Sequence, residues 1–248
     1  MKPAMIISGA NGQVGSFLAK YFYGRGYPLI LLYHKRNDRL QELMNAPLVH
    51  CEAVELEDPA LVRQAIERGV EALKTIPGYL IHTASQRSYD ALPLSGSDPE
   101  VWQAIFNSNL KGSYNLLRIS LPYFEQTKFG RIVVFGSDIT RSGLPMGSAY
   151  AAAKAALVNI VKSVAREVGG SNILINAISP GPIDTDLSTD YTGDYLQFRK
   201  EYFEKHKQAC PTHKLVSKEE IRNMIDVLIS AQNENITGEE IFINGGNR

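Results

Sequence analysis

Residues 4–15 read Ala4-Met5-Ile6-Ile7-Ser8-Gly9-Ala10-Asn11-Gly12-Gln13-Val14-Gly15, and this stretch decides the fold. A short apolar run enters a turn with three glycines, and a helical pattern follows over 13–25. Glycine lets the backbone turn tightly and lets a ligand approach the main chain. The start of the helix offers unpaired N–H groups and the positive end of its dipole. Together these make a seat for a pyrophosphate, so Gly9, Asn11, Gln13, Val14 and Gly15 are candidate dinucleotide contacts. Gly15 is expected to let helix and sheet pack closely. Any strand-to-helix turn can use glycine, and the weight of this one comes from its place on the first strand of an alternating chain.

Outward from the turn, short apolar runs alternate with longer stretches of helical period, as in a parallel sheet wrapped by helices. Candidate strands are 4–8, 28–33, 48–54, 78–84, 130–137, 172–178 and 239–243. They are almost continuously apolar, as strands covered on both faces should be. Helices are expected at 13–25, 59–75, 98–126, 150–168 and 217–231. Asp98 and Ser217 read as N-caps, and Glu220 completes a capping box with Ser217. No repeat, low-complexity tract or linker divides the chain, so 1–248 reads as a single α/β domain. Segment 186–213 breaks the rhythm with Tyr191, Tyr195, Phe198, Tyr202, Phe203 and His206. It follows the carboxyl end of the sixth strand, the edge where open α/β sheets bind ligands, and is expected to be a substrate lid. The alternative is a surface helix pair with an ordinary amphipathic face.

The 248 residues carry 26 basic and 26 acidic side chains. A net charge of zero argues against nucleic-acid and anionic-membrane binding. Cys51 and Cys210 lie outside any Cys/His array, which gives a metal site no support and suggests two reduced thiols. The N-terminal apolar run is too short for a signal peptide, and no run approaches the ~20 apolar residues of a membrane span. A soluble, cytoplasmic protein is the expectation.

After the second strand a site for NAD usually has an acid for the ribose 2′-hydroxyl, whereas a 2′-phosphate wants cations. Here the sequence is Tyr33-His34-Lys35-Arg36, with no acid before Asp38. His34, Lys35 and Arg36 are therefore the candidate contacts of NADP(H), with NAD(H) as the alternative cofactor. A solvated basic turn would look the same.

Tyr150-Ala-Ala-Ala-Lys154 opens the helix at 150–168. Residues four apart share a helical face, with Cβ atoms ~5–6 Å apart. An ammonium beside a phenol favours the phenolate and lowers its pKa from ~10. Tyr150 can then give a proton to a developing alkoxide or take one from an alcohol. Ser137, at the end of the fifth strand, can return beside Tyr150 through a loop containing Gly143, Pro145 and Gly147, and hold the substrate oxygen. Alone, Tyr-x-x-x-Lys is as well explained by a surface helical pair.

With Ser137, Tyr150 and Lys154 in this context, the chain resembles the short-chain dehydrogenase/reductase family nearly end to end. The resemblance implies a doubly wound Rossmann-type sheet of seven parallel strands in the order 3-2-1-4-5-6-7. It implies that Ser137, Tyr150 and Lys154 are catalytic, and that Asn109, in Asn109-Leu110-Lys111-Gly112, holds a water in a proton relay to the lysine. Asn109, Tyr150 and Lys154 would also border the cofactor. Ile175–Thr185 is similar to the family segment in which Ile183 and Thr185 would contact the nicotinamide carboxamide and Pro180-Gly181 would shape its pocket. Glu55 would touch adenine beside Leu56, and Thr83, Ala84 and Ser85 would line the cofactor after the fourth strand. The ending Ile236–Gly246 resembles the family's last strand and Gly-Gly turn. The family is often oligomeric, so a homodimer or homotetramer through the helices at 98–126 and 150–168 is implied.

Gln13 and His82-Thr83-Ala84-Ser85 depart from the compact branch of the family. Gly9, Gly12 and Gly15 instead resemble the spacing of the extended branch, which acts on sugar nucleotides. His82 reads best as a satisfied histidine at a strand end. The leading expectation is an NADP(H)-dependent reductase of a ketone, including 3-oxoacyl thioesters (carrier-bound ones among them) and secondary-metabolite intermediates. A sugar-nucleotide or polyol oxidoreductase is the second reading. A non-catalytic dinucleotide sensor is the third, disfavoured because Ser137, Tyr150 and Lys154 are all present.

Overall fold

Apolar runs that no single helix could cover pair side by side in the computed structural model, which describes residues 2–87 and 92–247. The strands are Ala4–Ser8 (β1), Leu29–Tyr33 (β2), Val49–Ala53 (β3), Pro77–His82 (β4), Gly130–Phe135 (β5), Ile173–Pro180 (β6) and Glu240–Ile243 (β7). They form one sheet in the order β3-β2-β1-β4-β5-β6-β7. Every neighbouring pair is parallel. All residues of β1, β4, β5 and β6 are buried, which explains why the sequence there is apolar without alternation.

The helices are Gln13–Gly24 (α1), Pro59–Leu73 (α2), Pro99–Phe106 (α3), Gly112–Thr127 (α4), Ile139–Ser142 (α5), Ser148–Val168 (α6), Gly193–Ala209 (α7) and Lys218–Leu228 (α8). On one face of the sheet α2, α4 and α6 bury Val62, Leu116 and Leu157 against Ile30, Leu80 and Ile132. On the other, α1 and α8 bury Leu18, Phe22 and Ile225 against Ile7, Leu31 and Val133. Each side chain of this size contributes about 1.5–3 kcal/mol on full burial. The caps at Asp98 and Ser217 form as expected, the latter as a complete capping box. Asp58, not anticipated, caps α2 ahead of Pro59 by accepting from the Ala60 and Leu61 amides.

Three expectations need correction. The helix expected over 98–126 is broken by a π-helical turn at Asn107–Lys111. Asn109 Nδ2 donates to the Ile105 carbonyl at 2.8 Å, the acceptor that the Asn109 backbone N–H would otherwise take, and this competition accompanies the widened turn. The fifth strand ends at Phe135, so Ser137 lies in the loop beyond it. The helix expected over 217–231 ends at Leu228. Segment 186–213 contains a 3₁₀ turn at Leu187–Thr189 and α7.

His82 is fully buried and bridges layers. Its Nδ1 lies 2.5 Å from Ser8 Oγ on β1, and its Nε2 lies 2.6 Å from Ser113 Oγ on α4. Burial, reinforced by the Lys154 charge, pushes its pKa down to about 3, so it is a neutral cross-link. That agrees with the structural role read from the sequence.

Candidate active site

All seven strands point their carboxyl ends at one edge, and the loops there build the cleft. At its centre, β1 runs into the glycine-rich turn. Gly9 has φ +69°, and a Cβ there would lie 2.6 Å from the Ala84 backbone nitrogen. A Cβ on Gly15 would lie 2.2 Å from the Gly9 carbonyl oxygen, so α1 closes on the turn itself. Gly12 is the N-cap of α1 and supplies no side-chain cap, which leaves the first-turn amides open to a ligand. This cradle fits a pyrophosphate.

The cleft has two lobes. The first, about 220 Å³, is lined by Gly9, Gln13, Val14 and Gly15 on the β1 side and by Pro180, Gly181, Ile183 and Thr185 after β6. Thr83 and Ser85 enter it from the loop after β4, Ser137 from the loop after β5, and Tyr150 and Lys154 from α6. The second lobe gathers Asn11, His34, Lys35 and Arg36 with Glu55, Leu56 and Ala84. His34 Nε2 lies 3.0 Å from the Glu55 carboxylate, and Arg36 pairs with Asp38 at 3.1 Å. Lys35 and Arg36 are exposed. Arg39, which sequence reasoning missed, lines the same lobe and donates to the Asn11 carbonyl at 3.2 Å.

Ser137 and Tyr150 are both buried, and α6 sets Lys154 one turn beyond Tyr150. Lys154 Nζ donates to the Phe135 carbonyl at 2.6 Å and lies 5.7 Å from the Tyr150 ring centre. Burial raises the Tyr150 pKa, but the Arg87 and Lys154 charges and the Ser85 and Ser137 hydroxyls together hold it below the ordinary tyrosine value. Burial likewise lowers the Lys154 pKa. Arg87 was not anticipated. It lies in the loop after β4, its guanidinium carbon 5.2 Å from the Tyr150 ring centre, and it has a larger effect on the phenol than Lys154 does.

Asn109 is the one expected site residue outside both lobes. Its Nδ2 donates to the Gln86 and Ile105 carbonyls, and its Oδ1 accepts from Ser85 Oγ and the Gln86 amide. Both amide hydrogens and the oxygen are thus engaged by protein groups. These bonds tie the loop that carries Ser85 and Arg87 to the π-helical turn.

The segment after β6 folds over the glycine turn. Gln13 Nε2 donates to the Asp186 carbonyl at 2.7 Å and to Asp190 Oδ2 at 2.8 Å, and Gln13 Oε1 accepts from the Asp186 amide. Arg39 pairs with Asp190 at 2.8 Å. Gln13, a departure from the compact-branch pattern, is therefore the tie between the turn and the segment.

Comparison with known proteins agrees with this architecture. The family model described as Enoyl-(Acyl carrier protein) reductase matches residues 9–248. A short-chain dehydrogenase/reductase of Hericium erinaceus, eriH, is 31% identical over 77% of this chain and 73% of its own length. The 3-oxoacyl-[acyl-carrier-protein] reductase FabG of Thermotoga maritima is 27% identical over 97% of this chain and 96% of its own. The solved structure of 4-hydroxyisoleucine dehydrogenase complexed with NADH superposes with a TM-score of 0.86 at 27% identity, covering 99% of this chain and 98% of that one. With the Ser-Tyr-Lys constellation at the carboxyl edge of a doubly wound seven-stranded sheet, this chain belongs to the short-chain dehydrogenase/reductase family of oxidoreductases.

Proposed function

We propose that the chain is an NADP(H)-dependent reductase that converts a ketone to a secondary alcohol, with Ser137, Tyr150 and Lys154 as its catalytic residues. The observation that carries the reading is the buried Tyr150 phenol, held below its ordinary pKa beside Ser137 and Lys154, at the end of a cleft that starts on an uncapped helix. The cofactor, when bound, supplies the hydride that the carbonyl carbon receives. Ser137 holds the carbonyl oxygen where negative charge grows. Tyr150 gives that oxygen a proton, and Lys154 and Arg87 stabilise the phenolate left behind. The first-turn amides of α1 hold the pyrophosphate. Pro180, Gly181, Ile183 and Thr185 border the nicotinamide, and Glu55 and Leu56 border the adenine.

Tyr33 in place of an acid, with Lys35, Arg36 and Arg39 around the second lobe, supports NADP(H) over NAD(H). Segment 186–213 serves as the substrate lid. The substrate class includes 3-oxoacyl thioesters, and the chain acts as a homo-oligomer.

Cofactor absorbance, followed with purified protein, NADPH or NADH, and a panel of ketones and acyl thioesters, tests the proposal. NADPH should be preferred, and replacing Lys35 and Arg36 with Ala should weaken NADP(H) binding far more than NAD(H) binding. Tyr150→Phe keeps the ring packing and should cut turnover ~10²-fold or more, the scale of a lost general acid. Full activity in Tyr150→Phe would remove Tyr150 as the proton donor.

A further inference from the structure

Beyond Tyr150, away from the glycine turn, the cleft opens into a pocket of about 230 Å³. Its walls are the loop Leu144–Gly147 and the inner face of α7, which presents Tyr195, Phe198 and Tyr202. Two cations stand at its junction with the first lobe, Arg87 and Arg199, and both line both cavities.

Arg199 is 4% exposed, and its Nε has no hydrogen-bond partner. No hydrogen bond or ion pair among the described residues engages either guanidinium. What surrounds Arg199 is aromatic: its guanidinium carbon lies 5.8 Å from the Tyr191 ring centre, 5.4 Å from Tyr202 and 4.9 Å from Phe203. Burial, then the Arg87 charge, depress the Arg199 pKa. Another buried arginine in the same chain shows what a structural guanidinium looks like. Arg131 is 1% exposed, and its Nε, Nη1 and Nη2 together donate to Gly130, Asn172, Ser230 and Asn233. A buried guanidinium is normally satisfied in this way, because its donors have lost water.

Among the described residues, the acids of the cleft do not pair with either guanidinium. Asp190 is taken by Gln13 and Arg39. Glu201 accepts from Gln197 at the rim. Asp138 is buried, which raises its pKa, and faces His206 and Asn247, with Arg87 a weaker influence.

We propose that Arg87 and Arg199 form an anion subsite and that the substrate is a carboxylic acid, one that carries its carboxylate on a planar, preferably aromatic, skeleton next to the carbonyl or carbinol that reacts. Two forks suit a carboxylate, which accepts bidentate bonds in one plane. The rings of Tyr195, Phe198 and Tyr202 suit a flat apolar body. Because Arg87 also faces the Tyr150 phenol, the carboxylate is held within a few bonds of the reacting oxygen. This rests on the carbonyl-reductase reading for the identity of the reacting group, but the anion subsite stands on its own geometry.

Calorimetric titration of the full-length protein with benzoate, and separately with its neutral isostere benzamide, tests the subsite without turnover. Benzoate should bind about 10-fold to 100-fold more tightly than benzamide, as charge-assisted bonds to a guanidinium predict. Arg199→Met should erase most of that ratio, and Arg199→Lys, which keeps the charge and loses the fork, should leave an intermediate one. Thermal melts verify that each variant is folded, and Arg87→Met gives a second route to the same loss. Equal affinity for the two probes, no binding of either, or a ratio unchanged in both Met variants overturns the proposal. Inorganic phosphate competing more strongly than benzoate overturns the carboxylate assignment. If benzoate keeps its preference while no keto acid is reduced, the carbonyl-reductase reading fails and the subsite is upheld.

Discussion

Tyr150 is governed by two cations. Tyr-x-x-x-Lys was legible because a helix places residues four apart on one face, and Ser137 was legible from its loop spacing. Arg87 and Arg199 were not, because no local period ties either to Tyr150. One arrives on the loop after β4 and the other on α7 across the cleft. The pairing has a consequence for pH. With the Tyr150 pKa below the ordinary tyrosine value, alcohol oxidation should rise as pH climbs through that pKa, because the phenolate takes the proton, and ketone reduction should fall over the same range. Arg87 is the largest influence lowering that pKa. Arg87→Met should therefore move both profiles to higher pH, and a midpoint that stays in place in pH–rate measurements would show that Lys154 alone tunes the phenol.

At the scale of elements, the strands and most helix starts were visible in the sequence because each rests on local rules: apolar continuity, N-caps, glycine at the turn. The π-helical turn at Asn107–Lys111 was not, since the side-chain bond to a main-chain acceptor that accompanies it has no signature in local period or capping. His82 is a cross-element tie with a measurable cost in acid. It remains neutral in the fold down to about pH 3 but titrates near 6.5 when unfolded. Between these values the unfolded chain binds a proton that the native chain refuses, so stability falls as pH falls, by up to about 1.4 kcal/mol per pH unit. Above 6.5 the effect vanishes. Urea melts at about pH 5 and about pH 7.5 should show the wild type losing more stability between the two than His82→Gln does. The tie from Gln13 to Asp186 and Asp190 gives a second element-scale test. Gln13→Ala should speed hydrogen exchange over 186–190 and leave α8 unaffected; equal exchange in the two proteins would mean that the segment is held by other contacts.

At the scale of the molecule, the balance of charge left association without a simple electrostatic driver, and the sheet order followed from resemblance and was met in full. No helix among the described residues is long and apolar enough to cross a membrane. The large exposed apolar side chains include Val101 on α3 and Tyr114 on α4, which lie within the expected oligomer surface. Light scattering should return a mass of at least two chains at working concentration. A monomer would leave Tyr114, 49% exposed, as an ordinary surface ring.

Two like charges lining one cavity, with no carboxylate paired to either among the described residues, are a load on the fold. Burial and the Arg87 charge both depress the Arg199 pKa, and the aromatic rings around the guanidinium offset this only in part. Activity and robustness should therefore pull in opposite directions at Arg199. Arg199→Met should raise the melting temperature of the ligand-free protein by several degrees, as relief of about 1–3 kcal/mol would do in a chain of this size. Selection for heat resistance alone would discard this arginine early, and its retention would mark a lineage still under pressure to capture an acid.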